Sequence, residues 1–327
     1  MPNGRKRLIT AVSALTLAAG VGLVPGTAQA EPDIDDVRAT VDRLYHEAEV
    51  AQERYNDARL ELTDLRQDLR TLKADERRQG KQLEGVREQV LESVLRQYQG
   101  EGLSTVGQVV VSDDPKTFLA QLSTVSAYQD LQGQLFDDYS RESTALGLRQ
   151  DATEKRLDSV ESVETQLARE KATVEEKLAE AEALLDRLEA EERERMLASR
   201  SSERMPESVP VSGRAAAAVN YARAQVGDRY VYGAAGPDAF DCSGLTMMAW
   251  RQAGVSLPHS SSAQYSSGPR VAASQLQPGD LVFYYNPISH VGIYIGNGMI
   301  VHAANPSTGV EVAGLYSMPY TGAVRPG

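Results

Sequence analysis

The chain has 327 residues, 41% of them hydrophobic and 24% charged, with a formal net charge of −12 and one cysteine. That length accommodates two domains, a lone cysteine excludes an internal disulfide, and the acidic balance excludes a nucleic-acid footprint. The charge is unevenly placed: residues 1–30 carry +3, residues 31–213 carry −16 and residues 214–327 carry +1.

Residues 1–30 read as a signal peptide. Arg5, Lys6 and Arg7 precede a mostly apolar run from Leu8 to Val24, and Ala28-Gln29-Ala30 is a small-residue cleavage site. The run is short and interrupted by Gly20 and Gly22, which disfavours a retained membrane span. The expected localisation is secreted.

Residues 31–198 are predicted to form a coiled-coil helical hairpin. Apolar positions step by three and four through Ile34, Val37, Val41, Leu44, Ala48, Ala51, Tyr55, Ala58, Leu62, Leu65, Leu69 and Leu72, a heptad seam sustained for more than five repeats. A second seam runs through Leu157, Val160, Leu167, Val174, Leu178, Ala181, Leu185 and Leu188, with Glu164 and Lys171 as polar members. Between them, Gly100, Gly102, Gly107 and Ser112-Asp113-Asp114-Pro115 mark a bend. Each arm is on the order of 100 Å long. Two long helices pairing in parallel with a second chain satisfy the same pattern. His46, on a charged arm, is expected to face solvent.

Residues 199–213 are polar, contain two prolines and lack a period, as a linker does. Composition then shifts: twelve of the nineteen aromatics lie in 214–327, where a compact core needs them. Helices are predicted over Ala215 to Gln225 and Asp241 to Ala253. Strands follow over Leu281 to Tyr285, His290 to Ile295 and Met299 to Ala303, with Gly296-Asn297-Gly298 as a hairpin turn. Helices first and strands afterwards indicate an α+β domain with an antiparallel sheet.

Cys242 lies at the predicted start of the second helix, where unpaired N–H groups favour a thiolate and can hold an oxyanion. A thiol nucleophile needs a base. His290 and His302 flank the hairpin turn at offsets that preserve one sheet face, so one imidazole can take the thiol proton while the other orients it.

Four linked segments, Asp241-Cys242-Ser243-Gly244, Gln277-Pro278-Gly279-Asp280-Leu281, His290-Val291-Gly292-Ile293-Tyr294 and His302-Ala303, resemble the NlpC-type bacterial cell-wall endopeptidases. The resemblance covers about 110 residues. It implies a small papain-like domain over 214–327 and a Cys-His-His triad with Cys242 as nucleophile, His290 as base and His302 as orienting residue. It further implies cleavage of peptidoglycan stem peptides between D-glutamate and diaminopimelate, and a cell-envelope location. Tyr232 matches the family tyrosine near the oxyanion, and Asp241, beside Ser243, matches a position that can bind a substrate amino group. The segment His259-Ser260-Ser261 with Gln264 resembles a groove segment where the family often has arginine. The coil-plus-peptidase arrangement is similar to the actinobacterial Rip-type hydrolases of cell division, which implies control by the FtsEX membrane complex; the apolar run Val106 to Val111 at the bend, which has no seam of its own, is the candidate partner-binding tip. No cofactor is implied. Zinc held by Cys242 and histidines is the competing reading, although no Cys or His pair has finger-like spacing. A catalytically weak scaffold and an acyl-transfer enzyme using the same nucleophile stand as alternatives.

Overall fold

The computed structural model describes residues 34–99, 115–188 and 213–327. The signal segment, the bend tip at 106–111 and nearly all of the linker fall outside the described residues.

Helix α1 (Ile34–Tyr98) and helix α2 (Pro115–Leu185) form one long antiparallel pair. Asp35 and Asp36 sit in the first turn of α1, where negative charge suits the helix dipole. The direction follows from the cross-pairs: Lys177 lies 3.6 Å from Glu47, Arg66 2.6 Å from Glu164, and the Gln132 amide donates to the Ser93 hydroxyl at 3.0 Å. The pairing is therefore within one chain. Near the helix start Val37, Val41 and Leu44 pack against Ala181 and Leu188, and farther along Ala58, Leu62 and Leu65 pack against Val163. Val163 corrects the expected seam: Glu164 and Lys171 face solvent, and Glu164 pairs with Arg66 instead of lying between the helices. A helix turning at 3.6 residues drifts from a strict 3.5-residue seam, which brings the neighbouring position inward.

The C-terminal domain begins with α3 (Gly213–Ala224), two residues before the predicted start. A short parallel pair, β1 (Arg229–Tyr230) and β2 (Ala239–Phe240), leads into α4 (Cys242–Gln252). Asp241 caps α4, accepting from the Gly244 N–H at 2.6 Å, and Gly254, at φ +74°, permits the exit. One turn, α5 (Ser261–Gln264), precedes β3 (Arg270–Val271), β4 (Leu281–Tyr284), β5 (His290–Gly296), β6 (Met299–Asn305), β7 (Gly309–Gly314) and β8 (Tyr320–Val324). The six strands form one antiparallel sheet in the order β3-β8-β4-β5-β6-β7.

The sheet is covered unequally on its two faces. Leu281, Phe283, Val291, Ile293, Ile295 and Val301 join Leu245, Ala249 and Trp250 of α4 in the main core. Val282, Tyr284, Ile300 and Ala323 form a smaller cluster on the other face. Strand alternation thus puts His290 and His302 on the face away from α4. The turn at Asn297 (φ 54°) and Gly298 (φ 72°) has both central residues in the left-handed region that a two-residue hairpin requires.

Candidate active site

Cys242 is the first residue of α4 and is buried. Its Sγ lies 3.9 Å from the Ser289 carbonyl oxygen, at the beginning of β5, so the thiol meets the histidine at the end of the strand rather than across the core. Cys242 Sγ and a ring nitrogen of His290 fall within 4.8 Å of each other. His290 and His302 are hydrogen-bonded, Nε2 to Nδ1, at 2.7 Å, with their rings nearly perpendicular. A glycine makes room for this pair: a Cβ at Gly292 would lie 3.2 Å from the Cβ of His302. Glu311, paired with His302 across β6 and β7, approaches its Nε2 to 3.6 Å. Burial holds His302 below the usual imidazole range despite that carboxylate.

The remaining expected site residues divide into two groups. Ser243, Ser260 and Ser261 are buried but line the ground around the thiol, and all three meet the coil. Asp241, by contrast, is fully engaged inside the domain, accepting from Gly244 N, from Gly233 N at 2.9 Å and from His259 Nε2 at 2.8 Å. Burial opposes protonation of His259, but the bond to Asp241 and its charge outweigh it and raise the imidazole. Gln264 is fully buried. Its amide donates to the carbonyl oxygens of Ser243 and Pro258 and accepts from the Thr246 hydroxyl, so it ties α4 to α5 from within.

The coil supplies what local sequence reading missed. One face of α1 lies on the site: the Tyr232 hydroxyl donates to the Tyr45 carbonyl at 2.9 Å, and Glu49 Oε1 lies 2.5 Å from His290 Nδ1. Glu53 accepts from the hydroxyls of Ser243 and Ser261, each at 2.7 Å, and from the Ser261 N–H at 2.5 Å; its Oε1 is 3.8 Å from Cys242 Sγ. Asp57 accepts from Ser262 at 2.7 Å and from Ser260. His46 is half-buried, not fully solvated as expected: its ring packs 4.1 Å from that of Tyr285. The only hint in the sequence is the run of small seam residues, Ala48, Ala51 and Ala58, which lets polar neighbours come close to another surface.

These carboxylates reverse the electrostatics of a bare helix start. Burial pushes the Cys242 thiol well up, and Glu53, Glu49 and Asp241 push it further, against the lowering effect of the Val291 N–H. Burial and the charge of Asp241 raise Glu53 to about 7. Burial also acts to raise Glu49, but His290 and His46 outweigh it and hold that carboxyl below its usual range. Glu49, Cys242 and His290 offer three donor atoms within 4.8 Å, yet the 2.5 Å Glu49–His290 separation is that of a hydrogen bond, not of two ligands sharing an ion. Beyond His302 a cleft of about 390 Å³ stays open between coil and domain, lined by Asp42, Tyr285, Asn305 and Met318.

A thiol at a helix N-terminus beside paired imidazoles on an antiparallel sheet is the arrangement of the cysteine-nucleophile hydrolases. Residues 227–324 match the NlpC/P60 family, a family of cysteine peptidases, and the C-terminal domain belongs to it. A probable endopeptidase of Corynebacterium glutamicum is 46% identical over 119 residues, 36% of this chain and 57% of that protein. A probable endopeptidase of Mycobacterium tuberculosis is 49% identical over 105 residues, 32% of this chain and 27% of its own length. The crystal structure of the NlpC/p60 domain of the peptidoglycan hydrolase SagA is 34% identical and covers 34% of this chain and 97% of that one, with a TM-score of 0.32. The chain spans little more than half the length of the first of these curated relatives and about a quarter of the second.

Proposed function

We propose that the chain is a secreted peptidoglycan endopeptidase that cleaves stem peptides at the D-glutamyl-diaminopimelate bond, with a coil that restrains and docks it during wall remodelling and division. The observation that carries this reading is the 2.7 Å His290–His302 pair beside a thiol at a helix start. With the coil lifted, His290 takes the Cys242 proton and the thiolate attacks the peptide carbonyl carbon. The Cys242 N–H and the freed Tyr232 hydroxyl hold the oxyanion. His290 then protonates the departing amine, and water, deprotonated by the same imidazole, releases the acid from the thioester. Ser243 and Ser261 offer two hydroxyls and an N–H to a carboxylate, and the free carboxylate of a D-glutamyl residue next to the scissile bond suits them.

A docking role for the far end of the hairpin is supported by its exposed apolar residues, among them Leu91, Leu95, Tyr98, Leu119 and Leu131. The partner we propose there is the FtsEX membrane complex.

The test incubates purified peptidoglycan with the full chain and its Cys242→Ala, His290→Ala and His302→Ala variants, and analyses soluble products by mass spectrometry. New amino termini on diaminopimelate are expected from the intact chain at a slow rate, since the coil restrains it, with Cys242→Ala and His290→Ala inactive and His302→Ala reduced by roughly 10²-fold or more. Release by Cys242→Ala at the intact rate overturns the nucleophile assignment, and cross-linked products in place of released ones point to acyl transfer.

A further inference from the structure

We infer that Glu53 and Glu49 form an intramolecular carboxylate plug, in which Glu53 occupies the place of a substrate carboxylate and Glu49 takes the hydrogen-bonding position on His290 that the thiol needs. The inference rests on reading Cys242 and His290 as nucleophile and base, and it deepens that reading by naming what holds the site shut.

Three observations carry it. The first is chemical matching. The Glu53 carboxylate accepts two hydroxyls and one N–H from Ser243 and Ser261 and sits 3.8 Å from the nucleophilic sulfur. A peptide bound for cleavage would bring a carboxylate to the same donors. The second is spacing. Glu49 and Glu53 are four residues apart, one helical turn, and lie over the base and the nucleophile respectively. Asp57, a further turn along, reaches Ser260 and Ser262, and Tyr45, a turn earlier, takes the Tyr232 hydroxyl through its carbonyl. A single helix face therefore contacts oxyanion tyrosine, base, nucleophile and groove serines in order.

The third is cost. Glu49 and Glu53 are nearly completely buried, and no Lys or Arg pairs with either in the ion pairs among the described residues. Buried carboxylates are expensive, and an interface selected only for cohesion gains more from apolar residues at such positions. Here the acids sit opposite the reactive groups, and Asp241 faces Glu53 with like charge. Such a contact is specific for the site yet easily released when substrate or a partner competes for it.

The experiment uses the full chain, with Glu53→Ala, Glu49→Ala, their double variant, Glu53→Gln as a volume-preserving form, and Glu61→Ala on an exposed part of α1 as control. Alkylation of Cys242 by iodoacetamide is followed by mass spectrometry, with helicity checked by circular dichroism. The double variant is expected to react roughly tenfold faster or more, since each hydrogen bond to a charged group is worth about that factor, while Glu61→Ala reacts as the parent does. Two probe peptides then compete with alkylation: a γ-D-glutamyl dipeptide with a free α-carboxylate, and the same dipeptide as the α-amide. Only the carboxylate form should protect the double variant, and neither should protect the parent at that concentration. Equal alkylation of parent and double variant, or equal protection by both dipeptides, overturns the plug. If alkylation accelerates but no variant digests peptidoglycan, the plug stands and the proposed substrate fails.

Discussion

At the scale of single residues, burial and neighbouring carboxylates raise both Cys242 and Glu53. Glu53 lies at about 7 in the closed arrangement, against the ordinary 4.5 once the coil is lifted into water. An acid raised by closure favours the closed form when protonated. Its contribution is complete below about pH 4.5 and is lost as pH rises through about 7. Glu49 is lowered, so its contribution is lost only on acidification below the usual carboxylate range, outside this window. The other titratable groups facing Glu53 are Asp241, Cys242 and His259 from the peptidase domain, with Asp57 one turn along α1. Cys242 alkylation in the parent, divided by that in the Glu49→Ala/Glu53→Ala variant at each pH, should therefore rise between pH 5 and pH 8. A flat ratio sinks this account of opening.

At the scale of elements, the start of α4 depends on two close approaches. Asp241 caps the helix through the Gly244 N–H, and its own N–H donates to the Ala234 carbonyl at 2.8 Å. That carbonyl lies where a Cβ on Gly244 would fall, so it can yield only by giving up the bond that seats Asp241. Gly244→Ala is expected to destabilise the domain by about 1–3 kcal/mol through overpacking and to displace Cys242 from His290. Thermal unfolding and Cys242 alkylation, both measured in the Glu49→Ala/Glu53→Ala background, check this; an unchanged melting temperature means the approach is not rigid.

At the scale of the whole molecule, α2 supports the segment of α1 that covers the site. Val41, fully buried, packs with Ala181 and Leu188 one turn before Tyr45. Val41→Asp buries an unpaired charge and should cost on the order of 3–5 kcal/mol in that part of the hairpin. Because that packing holds α1 against the domain, Cys242 should become more reactive without any change to Glu49 or Glu53. Helicity is followed by circular dichroism while alkylation is timed. Loss of helix with an unchanged alkylation rate means α1 is held by the domain alone.

The thiol at a helix start, the imidazole pair and the helical hairpin were legible in the sequence because each rests on short-range rules. A cap before a helix, a two-residue turn between strands and a three-four apolar step all act within a few residues, so Asp241, Asn297-Gly298 and the Val37-to-Leu65 seam announce themselves. The inward turn of Val163 in place of Glu164 was not legible, since helix phase drifts slowly and only the partner helix selects the buried position. Nor were Glu49, Glu53 and Asp57, which read as the solvated face of an acidic coil. Their partners lie about two hundred residues away in the chain, and no local periodicity records a contact between a helix face and a distant active site. Sequence alone determined which side chains are the candidates for the chemistry. Tertiary packing decided that those side chains are covered, by bringing a row of carboxylates against the donors that a substrate would use.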